Sequence, residues 1–351
     1  MKKNISIITL LSGFALLIAG ALILSSCEGP MGPAGPAGAD GQDGADGIDG
    51  VDGTDGTDGV AGNAVCLNCH TTAVKDAITA QWEASVHGIG ASVGYAGARN
   101  GCAKCHSHEG FVETVWTGQD TTAANIPLPQ PVQCKTCHAF HSSLDFENES
   151  NSAIRQEMAV TLMTGDGEVE FDNSESNLCM NCHQSRRNPA DDSDGSAITT
   201  VGRHYGPHHG PQANFLNGFG GYEFRAALGT SGAHESGSDC VSCHMTAGTE
   251  TGEHTWIPGI EGCTGCHADA TDFDVNGVKT EIEGLMTNLA TALFTAGMID
   301  ADGHAIESVS YQADSVGALW NFLLIMEDAS TGIHNPAYAK ALLNSSLSVF
   351  N

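Results

Sequence analysis

The sequence predicts a mainly α body with much irregular chain, preceded by an extended or disordered stalk and closed by C-terminal helices. Three observations predict it. Glycine falls at every third residue from 29 to 62, a period that suits neither an α-helix nor a strand. One five-residue cysteine motif recurs six times within residues 65–351, which leaves about 48 residues per copy, too few for a separate apolar core around each. Residues 279–295 then place Ile282, Leu285, Leu289 and Leu293 on one helical face, and Ser315–Glu327 and Pro336–Phe350 read as two further helices.

Composition narrows the function classes. The 351 residues carry 13 Lys+Arg against 42 Asp+Glu, a net charge of −29 that excludes nucleic-acid binding through a basic surface. Only one apolar run exceeds fifteen residues, so the chain is not a polytopic membrane protein. Thirteen cysteines require an explanation by disulfide, metal or cofactor.

Residues 1–26 have the layout of a secretory signal, with Lys2 and Lys3 ahead of an apolar stretch from Ile5 to Leu24. The end, Leu24-Ser25-Ser26-Cys27, resembles the lipobox of bacterial lipoproteins, which implies cleavage before Cys27 and lipidation of its thiol; a plain membrane anchor is the alternative. Two lysines and no acid leave with residues 1–26, so −29 becomes −31. Residues 27–64 are then a lipid-bearing cysteine followed by a Gly-X-Y stalk. Only glycine fits at the axis of a collagen triple helix, and the repeat is uninterrupted. Seven successive Y positions are Asp (40, 43, 46, 49, 52, 55 and 58), so three aligned chains bring 21 carboxylates together. Homotrimerisation therefore calls for calcium or another cation, and a flexible solvated spacer is the other reading. Extended at ~3.1 Å per residue, the stalk reaches roughly 110 Å.

The body, 65–351, carries CLNCH, CAKCH, CKTCH, CMNCH, CVSCH and CTGCH. The pattern C-x-x-C-H attaches c-type haem. The two thiols form thioethers and the adjacent imidazole reaches the iron. The covalent positions are Cys66, Cys69, Cys102, Cys105, Cys134, Cys137, Cys179, Cys182, Cys240, Cys243, Cys263 and Cys266; the proximal imidazoles are His70, His106, His138, His183, His244 and His267. Zinc or dithiol redox sites also use CxxC pairs, but neither requires histidine after every second cysteine. At 16 histidines in 351 residues, chance supplies all six about once in 10⁸.

Ten further histidines remain for six distal positions, enough to make every iron bis-histidine and low-spin, the state of an electron carrier. The candidates are His87, His108, His141, His208, His254 and His334, with His209 and His234 in reserve. His108 and His141 lie too close to their own motifs to reach the far face of the same haem, which points each to a neighbouring one. His334 stands ahead of a helix that Asn335 caps and Pro336 starts. His204 and His304 read equally well as surface residues. The acidic run 191–194 reads as a solvated loop, and DFDVNG and DADG as turns rather than full calcium loops.

QWEASVHG, CAKCHSHEGF, HYGPHHGPQANFLNGFGGYEF, CVSCHM, GEHTW and STGIHNP together resemble the multihaem cytochromes c that include ammonia-forming nitrite reductase and its electron-transfer relatives. The likeness spans most of residues 66–351. It implies a body wrapped around six haems, with distal roles for His334, for His208 (His209 as fallback) and for His254. Nitrite reductases hold the catalytic haem through CxxCK, whereas all six motifs here end in histidine. That departure and the histidine count favour an electron carrier, which the leader and Cys27 place at the outer membrane or cell surface, on the periplasmic or outer side, working between redox-protein donors and acceptors. A reductase of a small nitrogen or sulfur oxyanion (nitrite, hydroxylamine or tetrathionate class) at one five-coordinate haem is the alternative.

Overall fold

The computed structural model describes residues 66–67, 69–141, 153–164, 170–189, 198–224, 228, 234, 237–246 and 253–351. The leader, Cys27, the glycine repeat and the acidic run 191–194 lie outside the described residues. The chain divides into units Met1–Asp58 and Gly59–Asn351, and every described residue belongs to the second. No helix among the described residues is long and apolar enough to cross a membrane.

Short helices joined by irregular chain carry the motifs. Thr71 accepts a hydrogen bond from the Val74 amide to start α1 (Thr72–Ala84). Ser85 ends α1 in extended conformation and caps α2 (Val86–Ile89) through the Gly88 amide, so His87 points away from the line of α1. The second motif lies on α3 (Asn100–His106). Ser107 breaks the helix with an extended backbone, and its hydroxyl accepts from Gly110 N to begin α4 (His108–Thr117). These two helices touch backbone to side chain: a Cβ on Gly110 would lie 2.3 Å from the Ala103 carbonyl. The third motif forms α5 (Cys134–Cys137), the fourth is carried by α6 (Asn177–Met180) and the turn after it, and the fifth forms α8 (Cys240–His244), beyond α7 (Gln212–Leu216). Glu261–Thr264 (α9) opens the sixth.

Extended structure is slight. β1 (Val160–Thr161) pairs antiparallel with β2 (Glu170–Phe171), Val160 opposite Phe171. β3 (Ile198–Thr200) pairs with β4 (Ser310–Gln312), Thr199 opposite Tyr311, and so ties the middle of the chain to its C-terminal part.

Three long helices close the chain: α10 (Val278–Thr295), α11 (Ala313–Asp328) and α12 (Pro336–Leu347). Asn335 caps α12 through the Tyr338 amide with Pro336 in its first turn. Ile282, Leu289 and Leu293 of α10 are fully buried against Leu319, Leu324, Leu342 and Leu343, while Leu285 is only partly covered. Asn321 stitches an irregular segment onto this bundle, accepting from Tyr222 N at 2.7 Å and donating to Tyr222 O at 3.0 Å. The main apolar core is here. Within residues 66–141 the buried apolar side chains are Ala96, Ala103 and Phe111, and Trp116 and Phe140 stand 89% and 95% exposed.

Candidate metal centres

The described residues bring each of the six motif histidines against a second imidazole. Ring centres lie 6.1 Å apart in His70–His141, 6.1 Å in His106–His208 and 6.3 Å in His138–His254. They lie 6.0 Å apart in His183–His87, 6.1 Å in His244–His334 and 6.3 Å in His267–His234. A metal–imidazole bond of about 2.0 Å plus about 1.1 Å from nitrogen to ring centre, taken on both sides, gives about 6.2 Å. The spacing is thus that of two rings sharing one metal, with a CxxC pair beside each. No disulfide joins any of the twelve described cysteines.

Of the expected distal positions, His87, His141, His208, His254 and His334 stand opposite motif histidines. His108 does not. It is the first residue of α4, and its Nδ1 meets Thr136 Oγ1 at 2.8 Å, which turns the ring to the third motif's helix. The sixth place is taken by His234, whose Nδ1 donates to the Ile333 carbonyl at 2.5 Å. His209 lies beside His208 but pairs with Glu327 at 2.5 Å, 83% exposed. His204 is exposed with φ 58°, and His304 belongs to a turn in which Asp300 Oδ1 accepts from the amides of Asp302 and His304.

Electrostatics favour the neutral ring at His87, His106, His183, His208, His244 and His254, whereas at His334 burial opposes the charge but the Asp328 carboxylate outweighs it and raises the pKa. Burial, then repulsion from His183, lowers the His87 pKa to about 4. Burial and the nearby Arg186 guanidinium lower His208 to about 4. His183 is also lowered, by the surrounding protein, although its ring keeps accessible surface. A neutral imidazole is the form that binds a metal. The second ring nitrogens are also fixed. His183 Nδ1 meets Gln212 Oε1 at 3.1 Å and His244 Nδ1 meets the Trp256 carbonyl at 2.8 Å. His334 Nδ1 meets Asp328 Oδ1 at 2.7 Å. By contrast the buried His254 Nδ1 has no hydrogen-bond partner.

The centres adjoin one another. Cys105 and Cys182 sulfurs lie within hydrogen-bonding reach, as do those of Cys179 and Cys240, which sets the fourth motif between the second and the fifth. Trp256 joins three centres: its ring lies edge-on to His87 at 4.6 Å and to His254 at 5.8 Å, and its carbonyl holds His244. It does so with φ 55°, a conformation that a bulky residue adopts only under tertiary constraint. Neither Trp256 nor Asp328 was singled out by sequence as a partner of the ligands, although both lie within six residues of a candidate histidine.

Short motif helices, long irregular connections and six paired imidazoles make up a fold that a solved cytochrome shares. A solved structure, "Crystal Structure of Outer Cell Wall Cytochrome OcwA", has the same fold over 78% of this chain and 50% of its own, with a TM-score of 0.50 and 19% identity. "Undecaheme cytochrome from S-layer of Carboxydothermus ferrireducens" overlaps 76% of this chain and 41% of its own, with a TM-score of 0.46 and 21% identity. The chain therefore spans half or less of the length of either structure. No protein-family model and no curated protein sequence matches it.

Proposed function

We propose that this chain is a hexahaem c-type cytochrome that transfers electrons, exported and anchored at a cell surface through Cys27 and the glycine-repeat stalk. The observation that carries the reading is the set of six motif histidines, each with a second imidazole 6.0–6.3 Å away. The thiols of each CxxC would hold a haem covalently, and bound haem iron supplies reversible one-electron chemistry. The distal set is His87, His141, His208, His234, His254 and His334. Each of these would take the iron position that a substrate would need, which supports a carrier over an oxyanion reductase. The chain's own part is to hold rings such as His87, His183 and His208 neutral and to keep neighbouring centres in contact through Cys105–Cys182, Cys179–Cys240 and Trp256. The fold shared with an outer cell wall cytochrome supports placement at the cell exterior, facing redox-protein partners.

Intact mass and acid–acetone extraction test the reading. Six haem masses retained on the polypeptide, with a low-spin oxidised spectrum, are expected. Four or fewer haems from a competent host, or a substantial high-spin fraction, would overturn it.

A further inference from the structure

The His244–His334 centre differs from its neighbours in what stands behind the distal ring. The second nitrogens of His183, His244 and His234 meet neutral oxygens: the Gln212 amide, the Trp256 carbonyl and the Ile333 carbonyl. His334 Nδ1 instead meets a carboxylate, Asp328, whose side chain is fully buried. The carboxylate is built in. Asp328 is the last residue of α11, its backbone carbonyl accepts from Gln212 Nε2 at 3.0 Å, and its Oδ2 accepts from the Ser330 hydroxyl and, at 3.4 Å, from the Ser330 amide. Ser330 Oγ in turn accepts from the His334 amide at 3.2 Å, so the loop between α11 and α12 is folded around this one contact. Gln212 thus links the backbone of Asp328 to His183 of the adjoining centre.

A carboxylate that accepts the second N–H of a metal-bound imidazole makes the ring a stronger electron donor. In a water-poor site the effect is larger than at a surface. The oxidised metal carries one more positive charge than the reduced metal, so a fixed anion two bonds behind the ligand favours the oxidised form. We propose that Asp328 is a positioning residue that lowers the reduction potential of the haem held by His244 and His334. Resting on the reading above, this deepens it: the centre formed by His244 of α8 and His334 of the loop between α11 and α12 gives up its electron to neighbours more readily than a neutral acceptor behind His334 would allow. Ser330 moderates the effect, because its hydroxyl draws part of the carboxylate charge away from the ring.

The test is a spectroelectrochemical titration of the full haem-loaded chain, with Asp328→Asn and Ser330→Ala beside it. Asp328→Asn keeps the shape and, with its Oδ1 towards His334 Nδ1, the hydrogen bond to the ring, but removes the charge and the oxygen that accepts from Ser330. It should raise one component potential by at least the equivalent of a tenfold change in equilibrium constant, about 59 mV for one electron. Ser330→Ala returns charge to the ring and should lower the same component. Loosened packing would move both variants in one direction, and that result overturns the proposal. So do unchanged potentials in an Asp328→Asn protein that keeps six haems and a low-spin spectrum. Should Asp328→Asn fail to mature, Ser330→Ala decides alone: a lowered component supports the proposal, and a raised or unchanged one refutes it. Wild-type chain with four or fewer haems would instead sink the functional reading.

Discussion

A histidine's role here is set by what lies across from it in space. His234 faces His267, whereas His108 is turned to Thr136. His234→Ala should therefore make one sixth of the haem high-spin and let the reduced protein bind carbon monoxide, while His108→Ala should leave the low-spin spectrum intact. Absorbance and carbon monoxide difference spectra check both. His334→Ala should behave as His234→Ala does, with His304→Ala as the silent control. The rings also set an acid limit. His87 and His208 have folded pKa values of about 4 against an ordinary 6.5, so the folded state binds fewer protons than the unfolded one in that interval. Their contribution to stability is complete above pH 6.5 and is lost as pH falls towards 4. A pH titration of the low-spin spectrum should hold near neutrality and convert at the acid end, and conversion centred above pH 6.5 would contradict it. The motif positions were legible in sequence because all three ligating groups sit within five residues. The distal set was legible in part: from a pool of ten, local context picked out His87, His141, His208, His254 and His334, which face motif histidines, but held His234 only in reserve. Adjacency in CHSHEGF suggested His108, but Ser107 starts a new helix there and turns the ring aside.

At the scale of elements, the motif helices are short and owe their placement to close contacts. Gly110 lies against the Ala103 carbonyl, so Gly110→Ala must push α4 away from the helix that carries Cys102, Cys105 and His106. Haem at that one centre should be lost or rendered high-spin, as haem stoichiometry will record. The C-terminal helices fail in another way. Leu324 is fully buried in the main core, and Leu324→Ala should cost about 2–5 kcal/mol in denaturant unfolding with haem content unchanged. These three helices were legible because their apolar residues recur at helical spacing and Asn335-Pro336 marks a start. The turn that seats His87 was not, since it depends on Ser85 ending one helix while capping the next.

Across the whole molecule, the six ring pairs fall into two orientations. Four are steeply crossed, at 72°, 79°, 76° and 77°, and two are shallower, at 32° and 41°. Crossed axial rings leave the low-spin iron orbitals nearly degenerate and give a strongly anisotropic paramagnetic resonance signal, whereas near-parallel rings give a rhombic one. The oxidised protein should therefore show both classes, about four to two, and a single class would contradict the geometry. A chain beginning at Asn63 should keep the full absorbance spectrum, because all twelve paired histidines lie beyond it. The order of the pairs along the chain has a further consequence for assembly. A polypeptide emerges N-terminus first, and only His183 and His267 meet partners already made. His70, His106, His138 and His244 must each wait for a later segment; His138 waits across the longest stretch, until His254, and the His244 centre is the last of the six to gain its partner. Termination ahead of residue 334 would leave complete covalent attachment points but an unclosed fifth centre.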